Sequence, residues 1–167
     1  MRENIILGID PGINVTGYGV LRLRLPLGGI TLLEAGVIRT NDRQIISRRI
    51  NKIFQTVHTL IKDTRPNVLI IEDLYSHYKH PLTAIKMAHA RGVVLLAAQL
   101  QHVKIVTFSA KRIKKAVTGN GNASKEQVKN TVKQLLNIKR YTGPLDVTDA
   151  LALCLGYIHI ARVKIKE

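Results

Sequence analysis

The chain has no tryptophan and a single cysteine, Cys154, among 167 residues. One cysteine excludes an internal disulfide, and with no Cys/His cluster at ligand spacing it excludes a structural zinc site as well. Cys154 reads as core. Aromatics are scarce, at 4%, so the interior has to be built from aliphatic side chains. Long hydrophobic runs are missing too. No window reaches the length of a membrane span, and the apolar stretch 5–9 is broken by Asp10-Pro11-Gly12 too soon for a signal peptide. The chain is therefore expected to be cytoplasmic, with no membrane partner. Acids are the last shortage: 11 Asp and Glu stand against 26 Lys and Arg, a formal charge of +15. Such an excess goes beyond the needs of solubility and points to a polyanionic partner, nucleic acid being the commonest. A basic solvated surface without a partner is the plain alternative.

What is present suits one globular domain, 1–167, with a substantial core, since 46% of the residues are hydrophobic. Residues 5–9 read as an interior strand that ends on Asp10 where the chain turns. Residues 15–25 alternate, with Leu21, Leu23 and Leu25 on one face and Arg22 and Arg24 on the other, the pattern of a half-buried strand. After a turn at Gly28-Gly29, residues 30–39 give a third strand and an antiparallel meander.

The period then changes. Asn41 and Gln44 have capping-box spacing, and Ile46, Ile50, Ile53, Phe54, Val57, Leu60 and Ile61 follow at helical intervals up to Pro66. Residues 68–72 form a continuous apolar run ending on Glu72, as expected of a strand buried on both faces. A mostly apolar helix over 82–100, entered through Pro81, precedes a fifth strand over 104–108. The rest is helical, with a break around 119–122. The order βββαβαβα predicts an α/β fold, a mixed five-stranded sheet with helices packed on it. In such sheets sites gather at the carboxyl ends of strands.

Asp10 and Glu72 stand at two such ends. Asp146 and Asp149, three residues apart in "PLDVTDALALCL", share one face of the first turn of an apolar helix. If that helix packs beside the first and fourth strands, four carboxylates converge. Converging carboxylates repel one another unless a cation neutralises them, and oxygen donors without Cys or His suit Mg²⁺ or Mn²⁺. A pair of such ions would clamp a phosphodiester and acidify an attacking water, so the predicted reaction is in-line hydrolysis of a nucleic-acid backbone. Each acid has a duller explanation. Asp146 and Asp149 suit helix capping and the dipole, Asp10 suits a turn, and Glu72, beside Asp73, suits a solvated strand end. The recurrence of acids at two interior-strand ends of a basic protein favours the shared site.

The segment "SAKRIKKAVTGNGNASKEQV" supplies candidate DNA contacts in Lys111, Arg112, Lys114, Lys115 and Lys125. Ser124 and Gln127 have capping-box spacing, so a helix should open there with its N–H groups and Lys125 available to a phosphate. For each lysine taken singly a solvated surface is the simpler reading. The Gly-x-Gly at 119–121 has no strand before it and no Gly-Lys-Ser/Thr after it, which argues against a nucleotide loop. His58, His89, His102 and His159 read as structural or surface residues, while His77 and His80 follow Glu72 closely enough to approach DNA. Phe54 and Phe108 read as core.

Five stretches occur in order over nearly the whole chain: "GIDPGINVTGYGV" with Gly17, Tyr18 and Gly19, "IIEDLY" at 70–75, "ARGV" at 90–93, "GNGNASKEQV" at 119–128 and "DVTDALALCL" at 146–155. Together they resemble the RuvC family of Holliday-junction resolvases. The resemblance implies an RNase H-like fold with helices on both faces of the sheet. It further implies a homodimer that makes two symmetric Mg²⁺-dependent nicks across a four-way DNA junction during homologous recombination and DNA repair, leaving ligatable 5′-phosphate ends. By position it makes Asp10, Glu72, Asp146 and Asp149 the metal-binding catalytic acids, with two ions per site. Tyr75 takes the place of an aromatic that stacks on bases at the open junction centre. Lys114 and Lys125 match basic positions near the DNA, and a branch-migration motor is the implied partner. The loop "SHYKHPL" at 76–82 and the hairpin "RLRLPLGG" depart from the family's pattern.

Rival readings are a lobe of the actin-like and sugar-kinase group, an RNase H-like nuclease on RNA or ordinary duplex, and a non-catalytic DNA-binding module. The first needs two lobes, and this chain has one opening hairpin of that kind. The last is disfavoured by four acids that would repel phosphates.

Overall fold

In the computed structural model, which describes residues 2–25, 29–73, 81–140 and 142–166, the first apolar run is the middle strand of a five-stranded sheet. The strands β1 (Arg2–Asp10), β2 (Val15–Leu25) and β3 (Ile30–Arg39) precede α1 (Ile46–Thr64), β4 (Val68–Glu72), α2 (Pro81–Leu100) and β5 (Lys104–Phe108). Three helices complete the chain: α3 (Ala110–Thr118), α4 (Lys125–Leu135) and α5 (Leu145–Lys166). The sheet order is β3-β2-β1-β4-β5. The first three strands pair as the expected antiparallel meander, whereas β4 lies parallel to both β1 and β5. Parallel neighbours need crossover connections, and α1 and α2 supply them.

Side chains alternate across each strand, so the sheet separates two cores. Leu7, Ile9, Leu69 and Ile71 face one way and pack with α1 and α2. Ile6, Leu21 and Ile70 face the other way and pack with α3, α4 and α5. Residues 68–71 of β4 are buried on both sides, as its unbroken apolar run requires. Helices therefore cover both faces.

The α5 helix comes unusually close to the sheet. A Cβ added at Gly8 would lie 2.2 Å from the Ala150 carbonyl oxygen, at Gly17 2.1 Å from that of Asp146, and at Gly19 2.5 Å from Leu151 Cδ2. These three glycines form a trough for the helix, with Cys154 buried at its floor and its Sγ 3.4 Å from the Gly19 carbonyl. Absence of a side chain, more than freedom of the backbone, is what these positions need.

One expectation is corrected. The α1 helix is not opened by an Asn41–Gln44 capping box. Asn41 Oδ1 instead accepts the Arg43 N–H at 3.0 Å, and the N-cap is Ile45, with no side-chain cap bond. A short Asn side chain closes its own local turn more readily than it reaches a later helix. Phe54 is partly buried, packed against the core between the sheet and α1 and α2, with its ring centroid 5.6 Å from that of His58, and Phe108 is buried as expected. The Ser124–Gln127 box, in contrast, forms in full at the start of α4.

Replacing Gly17 by Ala should destabilise the protein by about 3 kcal/mol, because the intruding methyl meets backbone that cannot move aside. Chemical denaturation measures this, and an unchanged midpoint would mean that α5 can retreat from the sheet without cost.

Candidate active site

In the parallel register of β1 and β4, Ile9 pairs with Ile71. The next residue on each strand is an acid. Asp10 and Glu72 thus leave the sheet side by side on strands about 4.8 Å apart, and alternation turns both toward the α5 face. Asp10 also stands opposite Gly17 across β1 and β2. The side chain missing at Gly17 admits the backbone of Asp146, which brings the first turn of α5 over the strand ends. One helical turn carries Asp149 onto the same side. Asp10, Glu72 and Asp149 line a cleft of about 330 Å³ together with Lys114, Lys125 and Met87. Asp146 lies outside this lining but remains close enough to act on Asp10.

The charges in this cleft do not balance. Asp10 is raised from 3.8 to about 7, first by burial and then by Asp149, Glu72 and Asp146, with Lys125 pulling it down. Glu72 is raised by burial and by Asp149, against the opposing pull of Lys125 and Lys114. Lys125 donates to Asp149 Oδ2 at 3.3 Å, and that carboxylate raises the proton affinity of the ammonium. Four acids therefore share one directly bonded cation among the described residues.

A donor set made wholly of carboxylate oxygens, with so much unneutralised charge, fits a hard divalent cation. The raised proton affinity of Asp10 marks the charge such an ion would neutralise. Among the described residues no three acidic or histidine side chains already close on one point.

The turn after Asp10 is fastened from behind. Thr16 donates its hydroxyl to the Gly12 carbonyl at 2.7 Å. Arg49 of α1, 7% exposed, donates from Nη2 to the Ile13 carbonyl at 3.1 Å and to Asn14 Oδ1, and from Nε to the Thr40 hydroxyl at 3.0 Å. On the neighbouring strand, Arg91 of α2 donates from Nε to the Glu72 carbonyl at 3.2 Å and sets Nη2 3.9 Å from the Asp73 carboxylate. Sequence reading missed both roles. For Arg49 a signal existed: it falls in the helical stripe of Ile46, Ile50 and Ile53, where a charge needs buried acceptors. For Arg91 the "ARGV" stretch was visible but carried no mechanism.

Of the expected DNA contacts, Lys114 and Lys125 reach the cleft, whereas Lys111, Arg112 and Lys115 lie exposed on α3. Arg112 stacks 5.0 Å over the Phe108 ring, and the stem of Lys111 covers Gly121. Tyr75, His77 and His80 lie outside the described residues. His89 and His159 bond the carbonyls of Ile85 and Ala116, and neither these nor His58 and His102 line the cleft.

Acids at the ends of two central parallel strands, met by an acidic helix turn on a mixed sheet of this order, define a metal-dependent nuclease of the RNase H-like class. The family model "Crossover junction endodeoxyribonuclease RuvC" matches residues 6–157. The chain belongs to the RuvC family. The RuvC of Rhodopirellula baltica is 41% identical over 162 residues, which cover 97% of this chain and 90% of that protein. The structure of Thermus thermophilus RuvC in complex with Holliday junction substrate superposes with a TM-score of 0.88 at 29% identity, covering 96% of each chain. The yeast mitochondrial Holliday junction resolvase Ydc2 shares the fold at 16% identity, with a TM-score of 0.70 over 97% of this chain and 81% of that one.

A carboxyl raised in the folded state stabilises at low pH and loses that contribution as pH climbs from its unfolded value, 3.8, through about 7. The melting temperature in EDTA should therefore fall over that interval. Asp10→Asn should raise the metal-free Tm at pH 8 by on the order of 5 °C, with the gain shrinking toward zero near pH 4. Equal pH profiles for the two proteins in thermal melts would show that Asp10 is not under this strain.

Proposed function

We propose that the chain is a structure-selective endonuclease that resolves four-way DNA junctions by paired, symmetric, Mg²⁺-dependent hydrolysis of phosphodiesters in homologous recombination and DNA repair. The observation that carries this reading is the set of uncompensated carboxylates in a lysine-flanked cleft of a chain with charge +15. The complex of the Thermus relative with its junction supports the choice of substrate.

Asp10, Glu72, Asp146 and Asp149 are assigned as the catalytic acids that hold metal. Two Mg²⁺ ions per site, for which Mn²⁺ can substitute, would activate water and neutralise the phosphate. Lys125, bonded to Asp149 yet largely exposed, and Lys114, half-buried beside Glu72, are assigned to hold the scissile phosphate against the acids. Lys111, Arg112 and Lys115 extend this cationic surface along α3, and Tyr75 is assigned to base stacking at the junction centre. The turn of residues 11–14, held by Arg49, keeps Asp10 from yielding to its charged neighbours.

Paired nicks need paired sites, and α2 suits a homodimer. Its inner face is buried through Ala90, Val94, Ala97 and Ala98, yet Leu82, Ile85, Leu96 and Leu100 on the outer face are each half exposed or more. Midway, the Cβ position of Gly92 opens on empty space. A mid-helix glycine costs about 1 kcal/mol relative to alanine, and exposed large apolar side chains gathered on one helix are normally covered. A second α2 is the occupant we assign, because a two-fold dimer presents one cleft to each of two symmetric strands. A branch-migration motor is the further partner that family resemblance suggests.

End-labelled four-way junctions, linear duplex and an RNA–DNA hybrid, incubated with Mg²⁺ or EDTA, test the reading. Symmetric Mg²⁺-dependent nicks confined to the junction are expected. Asp10→Asn should lower the cleavage rate by on the order of 10³-fold while keeping junction affinity. Cutting of the hybrid or duplex in preference would assign another nuclease substrate, and binding without cutting would leave a DNA-binding module.

Leu96→Lys should convert the dimer to a monomer in sedimentation at concentrations where the unaltered protein remains paired. A dimer unaffected by this substitution would place the interface elsewhere.

A further inference from the structure

The exposed run from the end of β3 to the first turn of α1 carries three arginines, Arg39, Arg43 and Arg48, and one acid, Asp42. Sheet order fixes where they lie. β3 is the outer strand two places from β1 and runs in the same direction. Arg39 pairs with Val15, two residues before the Gly17 that faces Asp10, so it leaves the sheet at the end where the acids stand. Two strand spacings separate it from the line of β1, about 10 Å. The segment is also tied to the turn after Asp10, through the Thr40 N–H on the Asn14 carbonyl at 3.0 Å and through Arg49. At the other side of the sheet, β5 leads into α3 with Lys111, Lys114 and Lys115. The acids thus lie between two cationic flanks.

The second flank runs against helix stability. α1 starts with Ile45 at its N-cap, no side-chain cap bond and no acid in its first turn. Arg48 occupies that turn instead, where the helix dipole disfavours a cation. Asn41, which could have capped a helix, is committed to a turn that leads into exposed Arg43. None of the three arginines is ion-paired among the described residues. Local rules ask for an acid here and the chain supplies guanidinium groups, a conflict of the kind that marks functional surface.

We infer that Arg39, Arg43 and Arg48 form a second DNA-backbone surface, which grips a duplex arm of the junction on the far side of the acids from the α3 lysines. The inference rests on the nuclease reading above. Guanidinium groups match phosphate oxygens bidentately, and contacts to phosphate position a duplex without reading its sequence. One flank would hold DNA but leave it free to pivot over the cleft. Two flanks fix the scissile strand across it.

The test compares the triple variant Arg39→Gln/Arg43→Gln/Arg48→Gln with Lys62→Gln/Arg65→Gln/Lys104→Gln. The second set removes the same charge from the end of α1 and the start of β5, at the opposite end of the strands from the acids. Junction affinity is read in EDTA over a salt series. The first triple should make the slope of log K against log salt shallower by about 0.9 for each phosphate that the arginines no longer neutralise, up to about 2.7, and weaken binding on the order of tenfold at physiological salt. The second should stay near the unaltered protein. Equal effects from both triples, or an unchanged slope in the first, overturn the surface while leaving the nuclease reading in place. An unaltered protein that binds no junction at any salt overturns both.

Discussion

The site depends on how closely α5 approaches the sheet. Gly8, Gly17 and Gly19 leave a trough in which α5 comes closer to the strands than any side chain at these positions would allow, through helix backbone at Gly8 and Gly17 and through the Leu151 side chain at Gly19. Gly17 matters most, because it faces Asp10 across the strand pair and receives the backbone of Asp146. The same contact that buries Leu151 and Leu155 against the sheet sets the separation between strand-borne and helix-borne carboxylates. Packing density in this core is thus also the ruler of the site. A protein interior gives up such contacts in whole units, so the geometry is held without any bond between the acids themselves.

That arrangement gathers like charge, and the surrounding protein only partly offsets it. Burial and three neighbouring carboxylates raise Asp10 to about 7 against the pull of Lys125, and Glu72 is raised against that of Lys125 and Lys114. The balance suits a site meant to receive a divalent cation and then a phosphate. With more built-in positive charge the acids would have no need of metal; with less, the cleft would repel the DNA that the rest of the surface attracts. Lys125 sits at the midpoint of this compromise, close enough to bond Asp149 and exposed enough to meet substrate.

Much of this was legible in the sequence because two continuous apolar runs end on acids. A central strand buried on both faces has no alternation to disguise its end, so Asp10 and Glu72 could be placed at the carboxyl edge directly. Asp146 and Asp149 were legible as a pair, but their convergence on the strands was conditional on helix packing, which the spacing of Gly8, Gly17 and Gly19 governs without announcing its partner. The Asn41–Gln44 pattern misled because two local uses of one side chain compete and the shorter loop prevailed. Arg49 and Arg91 act through backbone carbonyls far away in sequence, and no short-range pattern encodes which carbonyl a guanidinium will meet.

Those two arginines share a logic. Arg49 comes from α1 and Arg91 from α2, the helices packed on the opposite face of the sheet from α5. Each reaches round the strand ends to hold main chain beside an acid, Arg49 at the turn after Asp10 and Arg91 at Glu72 itself. Their charge never enters the acid cluster, so it does not compete with a metal. Had the same guanidinium groups approached from the α5 side, they would have paired with the carboxylates and neutralised the site. Support from behind therefore lets the protein fix mutually repelling groups rigidly while leaving their charge available, which is the physical requirement of a metal-dependent nuclease.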